Sequence, residues 1–384
     1  MLSGAVWQHV ARCAIQSGTA ALLYGRLVQT GLIDALPSPE AQLLRRAYLE
    51  TAASNVRLGY WLRRVLEALA AADIPVVLLK GAHLAWFVYP HPGWRPMGDV
   101  DVLVQPVDLA RLGDSLAPLG IHPLPDHYQQ VEQPMRHVSY ATPRGVLFEF
   151  HTALLNPDWP VCFDYAALWA ATREVAYAGM PVRVLAPEHL LLHLCAHLFS
   201  HRALGSLLGL CDIAETVRHY RTTLDWPAVV RQSTEWGLER CVGLALQVAH
   251  TLLAVPVPLE VLWRLRPEDA PVDAVTTVIT GLATPDDIWR FEPVTQLWSG
   301  RTSSQRLRTL MRAAFAPRRE LAYTYRVPAG SPRILLYYPL RWVTRLGKVL
   351  PLLWAMLRRD PRMAQRVAQQ NRWSQLRAYL FRLV

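Results

Sequence analysis

The run Leu78-Leu79-Lys80-Gly81-Ala82, followed by Gly93-Trp94-Arg95-Pro96-Met97-Gly98-Asp99-Val100-Asp101-Val102-Leu103-Val104, decides how this chain is read. Asp99 and Asp101 stand at i and i+2 where an apolar strand begins. Strand alternation puts them on one face, with Cα atoms about 6.5–7 Å apart. The strand is apolar on both faces, which predicts a central place in a sheet. Two carboxylates crowded at the mouth of a buried strand repel each other unless a cation lies between them. Mg²⁺ is commonly held in this way, by one or two carboxylates together with substrate phosphates.

The surrounding residues extend the pattern. Val76-Val77-Leu78-Leu79-Lys80 is a short strand-like run behind Asp73-Ile74-Pro75, and Gly81 opens a helical stretch to Tyr89. A glycine at a helix start lets backbone N–H groups approach an anion, and the helix N-terminus favours negative charge. Lys80 adds a point charge suited to a phosphate. It is one of only two lysines among 40 basic residues, the other being Lys348. Arg95, four residues before Asp99, is a second candidate clamp for the same triphosphate. A third acid, Glu149 in Leu147-Phe148-Glu149-Phe150-His151, interrupts another apolar strand, where a charge needs a partner. His151 shares the strand face of Glu149; it either orients that acid or packs in the core. Each feature alone is a weak signal. Their order, strand–Gly–helix, then D-x-D, then a lone strand acid, makes a metal–phosphate site the joint reading.

Outward from this core the pattern is helical. Residues 5–30 and 40–72 read as helices, the second with Leu58, Trp61, Leu62, Val65, Leu66 and Leu69 on one face. Residues 107–118 look helical, and strands are expected at 136–142 and 146–151 around the turn Thr142-Pro143-Arg144-Gly145. From about residue 187 the pattern is helical to the end. The expected division is a helical region 1–72, an α/β core 73–186, a helical domain 187–300 and a basic helical region 301–384. The fold class is therefore α+β, a small sheet core embedded in a mostly helical chain.

These residues resemble the uncharacterised nucleotidyltransferase family of the polymerase-beta-like superfamily. The segments that carry the resemblance are Leu78 to Gly81, Trp94 to Val104 and Phe148 to His151, with the helical stretch Glu188 to Asp212; it covers roughly residues 40–220. It implies a mixed-sheet nucleotidyltransferase core, with Gly81 as the turn glycine. It also implies Asp99 and Asp101 as the metal-binding pair, Glu149 as the third metal-binding acid, and Lys80 and Arg95 as basic residues at the nucleotide. The chain departs from the superfamily pattern at Ala82, where a phosphate-binding serine is usual, and in the longer segment 83–98. The mechanism implied is transfer of a nucleoside monophosphate from an NTP to an acceptor, with two Mg²⁺ ions about 3.5–4 Å apart. The acceptor class stays open among small molecule, peptide, protein and RNA. The rival reading is a non-catalytic helical adaptor or peptide-binding module that retains the core.

The 384 residues are 52% hydrophobic and 18% charged, which excludes a disordered or low-complexity chain. Five scattered cysteines without a C-x-x-C pair read as free thiols, and no signal peptide is evident. Both point to the cytoplasm. The net charge of +10 is uneven: residues 301–384 carry 18 Lys and Arg against Glu320 and Asp360. Within that region residues 334–357 read as an amphipathic helix, with Arg341, Arg345 and Lys348 opposite Trp342, Leu346, Val349 and Leu353. This leaves three options: an anionic membrane surface at the inner face, an RNA backbone, or a solvated outer face. His193, His197 and His201 recur every fourth residue. They either bind zinc or pack in the core. Asp212 caps, pairs with Arg202 or reaches the nucleotide.

Overall fold

The computed structural model describes residues 3–124, 137–155, 157, 159–200, 206–266, 269–282, 321, 331–343 and 361–383. The chain opens with helices α1 (Gly4–Gln16), α2 (Ala20–Gln29) and α3 (Ser38–Ala71). The helix expected over 5–30 is thus two. Gly18, at φ +70°, ends the first, and Thr19 N–H closes back on Ala14 O at 2.9 Å. Along α3 the six apolar residues predicted to share a face are all buried.

The core follows as β1 (Val76–Leu78), α4 (Lys80–Phe87), β2 (Asp99–Val104), α5 (Leu109–Leu116), β3 (His122–Pro123), β4 (His137–Ala141), β5 (Leu147–His151), α6 (Tyr165–Ala170), β6 (Arg173–Tyr177) and β7 (Met180–Val184). The seven strands form one mixed sheet in the order β3-β4-β5-β2-β1-β7-β6, with β2 at its centre as its two-sided apolar pattern predicts. β2 runs antiparallel to β1 and parallel to β5, and β4 returns antiparallel to β5.

Strand alternation divides the core. Leu78, Val100, Val102, Val104, Phe148 and Phe150 share one hydrophobic cluster with α3 and with Leu112 and Leu116 of α5. Val77, Leu79 and Leu103 belong to the cluster on the opposite face. That cluster is built with α7 (Pro187–Ser200), α8 (Leu207–His219), α9 (Trp226–Glu235), α10 (Glu239–Leu253), α11 (Leu259–Arg264) and α12 (Ala274–Leu282). Asp99, Asp101, Glu149 and His151 alternate onto this second face.

The terminal helix α13 (Pro361–Leu380) joins the same cluster through Trp373, Leu376 and Leu380, with Phe381 just beyond it, while Arg372 and Arg382 stay exposed. Part of the basic tail is therefore the solvated side of an ordinary packed helix. At 332–343 the burial runs against the expected polarity: Arg341 is 6% exposed, whereas Trp342 and Val343 are 36% and 67% exposed. Arg345, Lys348 and the rest of that expected helix lie outside the described residues. Among the described residues no helix is long and apolar enough to cross a membrane.

The hairpin β6–β7 had no clear signal in the sequence. Its strands carry Arg173, Glu174, Arg183 and Pro181, which break the apolar alternation, and β6 is an edge strand. Its turn is the pair Ala178-Gly179, at φ +49° and +83°, the left-handed geometry that two-residue hairpin loops need. Ala178 is exposed and its Cβ gains no packing there. Ala178→Gly should therefore stabilise the fold by about 0.5–1 kcal/mol, read as a higher urea midpoint at unchanged slope.

Candidate active site

Parallel pairing of β2 with β5 sets Asp101 directly beside Glu149, and Leu103 beside His151. Antiparallel pairing of β4 then brings His137 next to His151. Because all four polar side chains alternate to the same face, they converge. His151 Nε2 donates to Asp101 Oδ1 at 2.7 Å and lies 3.4 Å from Glu149 Oε2. His137 Nε2 lies 3.9 Å from Glu149 Oε1, and the two imidazole rings are 5.0 Å apart.

Lys80 enters from the other side. It is the first residue of α4, held at φ +38°, a conformation seldom taken by a residue with a side chain. Its Nζ donates to the same Asp101 Oδ1 at 2.7 Å. Such local strain concentrates at functional sites.

Arg95 is placed by a partner remote in sequence. Its Nε and Nη2 donate to the two oxygens of Asp212 on α8, at 3.2 and 2.8 Å, and Tyr89 O–H donates to Asp212 Oδ1 at 2.8 Å. Nη1 donates to Pro96 O at 3.0 Å. A Cβ on Gly81 would lie 2.7 Å from that Nη1 and 3.0 Å from Met97 Cγ, so only glycine lets the guanidinium rest on the first turn of α4. Asn55 of α3 fixes the same loop by donating to Pro92 O and Arg95 O at 2.7 and 2.9 Å. The structure thus assigns Asp212 the partner Arg95; Arg202 lies outside the described residues.

The charges do not balance among themselves. Burial would raise the Asp101 carboxyl, but the Lys80 charge and the His151 hydrogen bond outweigh it and hold it well below the usual range. For Glu149 burial is likewise outweighed by the His151 hydrogen bond, and the carboxyl is lowered. Asp99 has no such hydrogen bond among the described residues: burial, with Asp101 and Glu149 nearby, outweighs the Lys80 and Arg95 charges and pushes it up to about 6. Burial opposes the charge on Arg95, yet the Asp212 carboxylate overcomes this and raises its pKa. Arg95 is paired with Asp212, so among the described residues the three carboxylates have Lys80 as the one cation not paired to an acid outside their group. A divalent cation fits this excess. Among the described residues, Asp101, Glu149 and His151 form the group whose ligand atoms all lie within 4.8 Å of one another.

The residues brought together are therefore Lys80, Asp101, Glu149 and His151, with Gly81 and Arg95 adjoining. Asp99 shares their face near enough to feel Asp101 and Glu149 but falls outside the three-ligand group, where His151 stands instead. His137, Tyr89 and the role of Asp212 were missed in the sequence. The only signal was a lone acid inside the apolar stretch Leu207 to Ile213, and a histidine two residues before Ser139 on a strand. His193 and His197 lie one turn apart on α7 with rings 5.8 Å apart, and His193 is fully buried. They belong to no three-ligand group among the described residues, and His201 lies outside those residues.

A mixed sheet whose D-x-D strand lies beside a strand carrying a third acid, within a mostly helical chain, has the α+β nucleotidyltransferase fold. The chain belongs to the family described as uncharacterised nucleotidyltransferase, whose sequence profile matches residues 3–254. Solved structures similar to it include the antibiotic-resistance factor ANT(2'')-Ia in solution. That match has 14% identity, a TM-score of 0.34, and spans 52% of this chain and 98% of that one. An antigenic nucleotidyltransferase-like protein from Paracoccidioides brasiliensis matches at 14% identity and a TM-score of 0.32, over 54% of this chain and 92% of that one. No curated protein matches the chain.

Two outcomes follow from the charges. Between pH 4 and 6 the folded state holds a proton on Asp99 that the unfolded chain releases. Stability from this group is present below the unfolded pKa and lost as pH rises through about 6. In metal-free protein, Asp99→Asn should gain about 1–2 kcal/mol over wild type at pH 7.5 and nothing below pH 4, measured by urea denaturation at both pH values. Asp212→Ala leaves Arg95 buried without its carboxylate and should cost about 3–5 kcal/mol in the same assay.

Proposed function

We propose that this protein transfers a nucleoside monophosphate from an NTP to an acceptor and releases pyrophosphate, with Asp99, Asp101 and Glu149 holding the divalent cation. The observation that carries this reading is the register of Asp101 against Glu149, with Asp99 on the same face and Lys80 at the start of α4. A bound divalent cation, Mg²⁺ in the two-ion scheme, supplies Lewis-acid polarisation of the phosphoryl oxygens.

The protein's own groups account for the rest. Gly81 brings the Arg95 guanidinium onto the first turn of α4, and the helix N-terminus beside it favours the charge of a phosphate. Ala82 offers no hydroxyl there, so Lys80 supplies the donor, moving from Asp101 onto the leaving pyrophosphate oxygens. Arg95, held by Asp212, whose carboxylate also accepts from Tyr89, presents its guanidinium beside that turn. Glu149, ionised at neutral pH, accepts the acceptor's proton as its oxygen or nitrogen bonds to the α-phosphorus and the bond to the β-phosphate oxygen breaks. His151 keeps Asp101 and Glu149 oriented. The adaptor reading gains nothing from this arrangement, in which Asp101 meets Lys80 and His151 and lies beside Glu149.

The experiment is transfer of label from α-phosphate-labelled NTPs to candidate acceptors, and to the protein itself, with and without divalent cation. Label should move only with the cation, and Asp101→Asn should abolish transfer while the fold survives. Lys80→Ala should lower kcat/KM by an amount equivalent to about 2–4 kcal/mol, the usual worth of such an electrostatic donor. Transfer at wild-type rates in either variant would contradict the assignment.

A further inference from the structure

We propose that His151 is itself a ligand of the cation, and that the site therefore binds a first-row transition ion such as Mn²⁺ more tightly than Mg²⁺. The proposal rests on the reading of this site as a cation centre and adds the identity of the donor set.

The geometry is that of a ligand set. His151 is 1% exposed, and its Nε2 is directed at the gap between two carboxylates of neighbouring strands, 2.7 Å from one and 3.4 Å from the other. Adjacent donors around a six-coordinate ion of this size lie about 3 Å apart, from metal–ligand distances of about 2.0–2.2 Å. The two observed separations bracket that edge. The ligand atoms of Asp101, Glu149 and His151 all lie within 4.8 Å of one another, a spread that side-chain adjustment can close on one ion. What must leave is the Nε2 proton and the Lys80 ammonium, which now share Asp101 Oδ1.

His137 supports the set from behind. Its ring lies 5.0 Å from that of His151, and its Nε2 is 3.9 Å from the Glu149 oxygen turned away from His151. At that distance His137 makes no hydrogen bond to the carboxylate, but it lies close enough to become its outer partner once the group closes on an ion. A centre built from oxygen alone suits Mg²⁺, a hard ion that keeps its waters. An imidazole in the set raises the affinity of first-row transition ions relative to Mg²⁺. Mn²⁺, the weakest binder of that series, shares the preference of Mg²⁺ for carboxylate and phosphate oxygen and is the probe that isolates the effect.

The test is pulsed electron paramagnetic resonance on the full chain loaded with Mn²⁺. The expected spectrum shows a ¹⁴N coupling from a directly bound imidazole, lost in His151→Gln and kept in His137→Gln. Titration calorimetry should give Mn²⁺ binding at least tenfold tighter than Mg²⁺, with that preference reduced to under threefold in His151→Gln. Should that variant fail to fold, His137→Gln grown with ¹⁵N-histidine gives the same answer: the ¹⁴N pattern must be replaced by a ¹⁵N one. Bound Mn²⁺ without nitrogen coupling, or coupling that survives in His151→Gln, overturns the proposal while leaving the cation centre intact. Absence of any Mn²⁺ or Mg²⁺ binding that Asp101→Asn removes overturns the centre itself, and this proposal with it.

Discussion

The structure depends on a surplus of negative charge placed where water can do little to relieve it. Asp99 and Asp101 on β2, and Glu149 on β5, face the same side of a sheet whose other side is packed with valine and phenylalanine. Lys80 and His151 satisfy Asp101 but leave Asp99 with its pKa pushed up to about 6. Carboxylates are rarely kept in such surroundings without a counter-charge. On this surplus rests the proposal that the centre binds a divalent cation and, through it, a polyphosphate.

The two layers flanking the sheet divide the labour. α3 and α5 fill the apolar face and make the strands rigid. The helices from α7 onward fill the face that bears the acids, and one of them reaches into the site. Asp212, on α8, holds Arg95 through two hydrogen bonds and takes a third from Tyr89. This buried triad ties the helical layer to the loop just before Asp99. Removing the acid would leave a guanidinium buried without its partner, a cost well above that of an ordinary surface substitution. The helical layer is thus a structural part of the site, as well as a cover for it.

Much of this was legible in the sequence because the signal was local. Two aspartates at i and i+2 entering an apolar strand, and one glutamate inside another, are conspicuous by the cost of burying them. The face of α3 and the central place of β2 followed from periodicity. What escaped depended on contacts far apart in the chain. Nothing in the sequence fixes the register of Asp101 against Glu149, the approach of His137 to His151, or the pairing of Arg95 with a residue 117 positions away. The β6–β7 hairpin escaped because an exposed edge strand carries charges where an alternating pattern would need apolar residues. Arg341 shows the reverse error: helical spacing alone put it on a solvated face, and the fold buries it.

The claim that matters most is that the carboxylates and a cation together form the seat of a nucleoside triphosphate. Calorimetric titration of a non-hydrolysable NTP analogue, with and without divalent cation, measures it directly. Binding should need the cation, and both analogue and cation binding should be lost together in Asp101→Asn. Equal affinity for the analogue in the presence of a chelator, or in that variant, would contradict the account.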